Sequence, residues 1–287
     1  MKKHVDQLFI SLFLIIAALG NAQINKPSLS PLIKTEQQVG LAKVTLEYGQ
    51  PNMQRRTIFG KLIPFNRIWR TGANSSTKIS FDKDIQLDGN LITAGSYSLY
   101  TIPGPKEWTV ILNSNTKHWG SAGYNESEDV VRIKIAVQEM KDAKETLQIY
   151  FEGFNANGAD MVIAWENTKI SLPFFVDSDA AILKEIDQKI NAASGTINAQ
   201  TYFDAAQFYY FKDIDLDKAA VWFDKAIELR PSAFWYVYYK AELAYKLNKT
   251  DMARKAAESC LYAAKQSTSS DYGYIAKATL LLEKINN

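Results

Sequence analysis

The apolar residues of this chain change period once, near Asp177, and that change limits the folds open to it. Upstream they alternate with polar residues in short bursts: Val44, Leu46, Tyr48; Val131, Ile133, Ile135, Val137; Leu147, Ile149, Phe151; Met161, Ile163, Trp165; Ile170, Leu172, Phe174. A period of two marks strands with one buried face. Turn signals separate the bursts, among them Asp88-Gly89-Asn90, Pro103-Gly104-Pro105 and Asn155-Ala156-Asn157-Gly158. Many short strands with no helices between them argue for an antiparallel β-sandwich, with a barrel as the alternative.

Downstream of Asp177 the spacing becomes helical and alanine-rich, with glycine only at Gly195 and Gly273. Asp179 is placed to cap a first helix carrying Ile182, Leu183, Ile186 and Ile190, which Ser194-Gly195 would end. The chain then matches itself at an offset of 34 residues: Tyr202 with Tyr236, Lys212 with Lys246, Asp217 with Asp251, Ala219 with Ala253, Ala226 with Cys260. That is the tetratricopeptide period. Ala219, Phe223, Ala226 and Pro231 follow the small, aromatic, small, proline series of that repeat's second helix, where small side chains let antiparallel helices approach and proline stops the helix. The second unit, Phe234 to Ser267, has Ala257 and Cys260 in place of Phe and Ala and no closing proline. Two repeats need covers, so the helix before them and one from Asp271 to Ile285 are expected as caps.

The N-terminus reads as a secretory leader: Met1-Lys2-Lys3, an apolar run of 12 residues from Leu8 to Leu19, then Gly20-Asn21-Ala22. Cleavage is expected after Ala22, and no membrane anchor remains, because a span needs about 20 apolar residues and no cysteine lies near the cut to be acylated. The expected organisation is leader 1–22, β-sandwich domain 23–176, capping helix and linker 177–199, and repeats with a final cap 200–287. Export to the periplasm or beyond the cell follows. Cleavage removes Lys2, Lys3 and Asp6 and takes the net charge from +2 to +1. Mixed charges without a basic stripe exclude a nucleic-acid partner.

The segment from Ser30 to about Val176 resembles the bacterial domain-of-unknown-function family 2911. The stretches that carry the resemblance are Ser30-Pro31; Gly40 to Tyr48 with Pro51; Arg56-Thr57-Ile58-Phe59-Gly60 with Leu62 and Pro64; Ile68-Trp69-Arg70-Thr71-Gly72-Ala73-Asn74; Ala94 to Gly104; Glu107 to Ile111; Trp119-Gly120; and Trp165 to Lys169. The resemblance implies an exported β domain, sometimes followed by tetratricopeptide-like helices, and implies no activity.

The catalytic inventory is thin. Beyond the leader His118 is the only histidine, and it reads as a surface residue in a loop. Cys260 is the only cysteine and reads as buried filler. A zinc site or an activated nucleophile needs more ligands or a base, so no metal and no cofactor is expected. A carboxylate pair such as Glu107 and Glu166 would suffice for a glycosidase or other hydrolase, but strand positions facing water are ordinarily polar. The loop Asn125, Glu126, Glu128, Asp129 offers oxygens without any calcium-ligand spacing.

The richest local chemistry is Arg55, Arg56, Arg67, Trp69, Arg70 and Asn74, a set of guanidinium forks beside an aromatic ring and an amide, suited to a small polar ligand. Its bland counterpart is arginines that cap carbonyls around a core tryptophan. The second candidate is a partner groove on the repeats, formed by Phe208, Phe211, Lys212, Trp235, Tyr238, Glu242 and Tyr245 together with Thr201, Asp204 and Lys246. Such rings would take a protein or peptide partner, or would instead be closed off within the chain. The favoured reading is a noncatalytic binding or assembly module, with the carboxylate hydrolase as the alternative.

Overall fold

A computed structural model describes residues 26–192 and 194–287. The expected leader and its cleavage point after Ala22 lie outside the described residues. The chain divides into two compact units after Ser178.

The first unit is an antiparallel β-sandwich, not a barrel, since its strands form two separate sheets. The strands are β1 (Leu32–Val39), β2 (Ala42–Gly49), β3 (Ala73–Phe81), β4 (Ile85–Leu87), β5 (Asn90–Ile92), β6 (Gly95–Ile102), β7 (Glu107–Asn113), β8 (Asp129–Ala136), β9 (Gln138–Asn155) and β10 (Gly158–Phe175). One sheet runs β1-β2-β3-β6-β7-β8 and the other β5-β4-β10-β9. The alternating residues face inward as their period requires: Val44, Leu46 and Tyr48 from the first sheet meet Leu147, Ile149, Leu172 and Phe174 from the second. Asp88-Gly89 makes the two-residue β4–β5 turn with both residues at positive φ, 48° and 77°, which the twist of a tight hairpin favours.

Two strands are much longer than the bursts foretold. β9 and β10 each run 18 residues as one hairpin. The inward set of β10 changes from odd numbers (Met161, Ile163, Trp165) to even ones (Ile170, Leu172, Phe174), which in sequence reads as a break between strands. The structure keeps one strand and absorbs the change in bulges between Ala164 and Thr168, with Glu166 at φ 54°.

The second unit is helical: α1 (Ser178–Ile186), α2 (Ala199–Lys212), α3 (Leu216–Leu229), α4 (Phe234–Lys246), α5 (Thr250–Lys265) and α6 (Tyr274–Asn286). Asn198 caps α2 by accepting from Thr201 N–H at 2.9 Å, and Asp215 caps α3 by accepting from Lys218 N–H at 3.1 Å. The self-matching positions are buried pairwise, Ala219 with Ala253 and Ala226 with Cys260, so the small side chains sit where helices approach. Phe203 of α2 stacks on Tyr236 of α4 at 4.2 Å, joining one helical pair to the next. The first helix is corrected in two ways. It begins at Ser178 with Asp179 inside its first turn, bonded to Lys212 at 2.6 Å, and its regular path ends at Ile186, followed by a π-helical turn over Asp187–Asn191 rather than a stop at Ser194-Gly195. No helix among the described residues is long and apolar enough to cross a membrane.

Candidate functional site

Between β2 and β3 the chain runs through residues 50–72 with hardly any regular structure. Connections of that length inside a compact unit are ordinarily functional. This one is fastened on three sides. Met53 N–H donates to Glu145 O at 2.6 Å, and Leu147 N–H donates to Pro51 O at 3.0 Å. Ile58 and Phe59 N–H donate to the two carboxylate oxygens of Glu166, each at 3.3 Å. Trp69 exchanges backbone bonds with Thr101 at 2.8 and 2.9 Å. Phe59 and Trp69 enter the core against Trp108 and Trp165, with Phe59 edge-on to Trp108 at 4.7 Å and Trp69 stacked on Trp165 at 6.1 Å.

This fastened segment encloses a hollow of about 400 Å³. Arg56, Arg67, Trp69 and Arg70 line it, along with Trp165, Leu62, Ser30 and Ser121. Among the described residues no aspartate or glutamate is on its wall. The three guanidinium groups differ in how they are committed. Arg56 is tied to the backbone, Nη2 to Asn52 O at 2.7 Å and Nε to Met53 O at 2.9 Å. Arg70 spends only Nε, on Gly72 O at 3.3 Å. Arg67 is exposed and bonds to nothing among the described residues. Arg67 and the Nη groups of Arg70 are thus the cationic donors open to a ligand, and Arg56 mainly shapes the wall.

Of the six residues singled out in sequence, four converge here. Arg55 does not: it sits at φ 61° in an exposed turn and is absent from the wall. Asn74, at φ 64°, supports the wall from behind, its amide donating to Ser30 O at 3.2 Å. Sequence reasoning missed Ser30, Ser121 and Trp165 as lining residues. None of the three lies within 50–72, and the spacing of the sequence carries no signal for them.

Residues 30–174 match the family described as protein of unknown function (DUF2911). The chain belongs to this family. No curated protein and no solved structure matches the chain. The DUF2911 match ends before the helices begin. Five of the stretches by which the sequence resembles DUF2911, at Ser30, Pro51, Arg56 to Pro64, Ile68 to Asn74 and Trp165, contribute to the wall of the hollow.

The carboxylates proposed for hydrolysis stand elsewhere. Glu107 pairs with Lys134 at 3.1 Å on the surface, and Glu166 is occupied by the two backbone donors. Neither lines the hollow. Among the described residues no group of three or more His, Cys, Asp or Glu could hold a metal ion. The acidic loop is spent internally: Asp129 accepts from Tyr124 at 2.6 Å and Arg132 at 2.8 Å, and Glu128 from Asn115 at 3.0 Å. Burial, then Asp129, raise the Tyr124 phenol well above its ordinary pKa.

His118 is not the surface histidine expected. Its side chain is 13% exposed, with Nδ1 at 3.4 Å from the Tyr100 hydroxyl and Nε2 at 3.5 Å from Glu128. It is drawn in because residues 114–128 fold over the outer face of β6, where Tyr100 is fully buried and also donates to Gly120 O at 3.2 Å.

On the helical unit the groove residues divide. Trp235 lies 6.2 Å from Tyr272, and Tyr238 lies 5.3 Å from Tyr274 at the start of α6, so the last helix covers that end. Glu242 accepts from Tyr238 at 2.7 Å and Tyr210 at 3.0 Å. Tyr245 is 39% exposed and reaches Lys284 O at 3.5 Å. Lys212 is bound to Asp179 and lies over Phe208 at 6.0 Å. Phe211, 62% exposed, is the open ring of the set. Thr201 and Asp204 line a smaller apolar cleft with Ile182, Ile186 and Ile190.

Proposed function

We propose that this DUF2911 chain acts outside the cytoplasm as a noncatalytic binding module, whose β unit holds a small anion-bearing ligand in the arginine hollow. The observation that supports this reading is the charge of that wall: three guanidinium groups and no carboxylate. Arg67, which is exposed, and the outer nitrogens of half-buried Arg70 make no hydrogen bond or ion pair among the described residues, and their planar forks are of the kind that grips carboxylate or phosphate bidentately. Export rests on the leader sequence, and for the helices the 34-residue self-match supports a tetratricopeptide-like arm for a protein or peptide partner, with Phe211 as its free contact.

The test is calorimetric titration of the full mature chain with succinate and with inorganic phosphate, at low and moderate salt. Wild type is expected to bind at least one of them more weakly as salt rises, and Arg67→Ala with Arg70→Ala to abolish the heat. Equal binding by wild type and the double variant would remove the basis of the reading. N-terminal sequencing of protein from the cell envelope is expected to start at Gln23.

A further inference from the structure

We infer that the ligand of the arginine hollow is an acidic saccharide, its carboxylate gripped by Arg67 and Arg70 and one of its rings laid on Trp119. The inference rests on the anion site proposed above and names its ligand class. Among the six tryptophans of the chain, Trp119 alone is exposed, at 70%. An indole left in water is a large apolar area that folding has not used. Its place is set by its neighbours: Gly120, at φ 66°, packs so near Arg70 that a Cβ there would come within 2.8 Å of Nη1, and Ser121 is part of the wall. The loop is held in place, since Tyr100 donates to Gly120 O at 3.2 Å. Trp119 is not itself on the wall, but it adjoins in sequence Gly120, which packs against Arg70, and stands two residues before Ser121, which lines the hollow.

The rest of the wall favours a sugar over other anions with a flat face. Ser30 and Ser121 both line the hollow, and neither hydroxyl makes a hydrogen bond among the described residues. A nucleotide would also offer a phosphate and a stacking base, but no Asn, Gln, Asp or Glu stands among the described residues of the wall, which leaves its base edge to hydroxyls and backbone groups. A volume of about 400 Å³ lies at the small end of ligand pockets and suits one or two sugar residues. Guanidinium forks match the two coplanar oxygens of a uronate carboxylate.

Calorimetry and tryptophan fluorescence with four probes test this: digalacturonate, its fully methyl-esterified form, succinate and adenosine monophosphate. Digalacturonate is expected to bind tightest, with the ester weaker by at least tenfold. Trp119→Ala should weaken digalacturonate by roughly tenfold and leave succinate unchanged, the size of a lost stacking contact, while Trp119→Phe restores most of the affinity. Trp119 is exposed, so these variants keep the fold, and circular dichroism verifies it. Equal affinity for succinate and digalacturonate, or no effect of Trp119→Ala, overturns the saccharide while the anion site stands. Tightest binding of the nucleotide overturns it in favour of a base on Trp119. No binding of any anion, with Arg67→Ala and Arg70→Ala indistinguishable from wild type, overturns the anion site itself.

Discussion

The Glu166 carboxylate on β10 accepts the backbone N–H of Phe59 at 3.3 Å, across 107 residues of sequence. Its other oxygen takes Ile58 N–H at the same distance. One side chain at a bulge thereby fixes the segment that carries Arg56. Glu166→Ala leaves two part-buried N–H groups without partners and is expected to cost about 2 kcal/mol. It should also weaken anion binding at the hollow. Urea unfolding with an unchanged slope measures the first effect, and an unmoved midpoint would show that the two bonds contribute nothing.

Trp165 serves both core and hollow. It stacks on Trp69 at 6.1 Å and donates through Nε1 to Glu145 O at 3.2 Å. Trp165→Ala is expected to destabilise the β unit by about 3–5 kcal/mol, as truncation of a buried aromatic does. Trp165→Phe should cost less and keep most ligand affinity. Thermal unfolding compared across the two variants checks the ranking.

Burial, with help from neighbouring oxygens, raises the phenols of Tyr210, Tyr238 and Tyr274, the last up to about 12. A raised pKa means that the folded state holds the proton more tightly than the unfolded chain, whose phenols titrate near 10. Their contribution is therefore complete below pH 10 and declines as pH rises above it, for Tyr274 through about 12 and for Tyr210 and Tyr238 further up. Helical circular dichroism and phenolate absorbance followed together are expected to change in one step over that window. Phenolate appearing near pH 10 with the helices intact would contradict it.

Cys260 is fully buried, and burial pushes its thiol up to about 11. At neutral pH it should resist an alkylating reagent until α4 and α5 part. Mass spectrometry of labelling with and without urea reads this out. Rapid labelling of the native chain would mean that the pair opens on its own.

Period alone revealed the order of the two units, because burial on one face of a strand or helix leaves its mark on every second or every third to fourth residue. It failed where burial does not alternate. β1 lies at the edge of its sheet with most of its side chains in water, so Leu32–Val39 has no pattern to read. β10 keeps its core face through a bulge, so its phase change reads as a gap between strands. At the hollow the cluster Arg67-Ile68-Trp69-Arg70 was legible because its members are close in sequence. Ser121 and Trp165 reach it through sheet pairing and loop closure, which spacing does not record. His118 was misjudged for the same reason, since its cover comes from Tyr100 and Glu128 on two strand-linked segments. The contest at the helical groove turned on the entry to α6, where Tyr272 and Tyr274 flank a glycine and carry no sign in sequence of where they will rest.

A recess walled by three guanidinium groups, with no carboxylate among the described residues lining it, gives an arriving anion no like charge to contend with. Trimming Arg67, which is exposed, should therefore spoil capture while leaving the empty protein's stability within about 0.5 kcal/mol. The same imbalance turns any true occupant into a heat protectant, with the gain set by concentration over dissociation constant. A chain built this way signals its own cargo: the molecule that raises the melting point furthest at equal concentration is the one for which the recess was shaped.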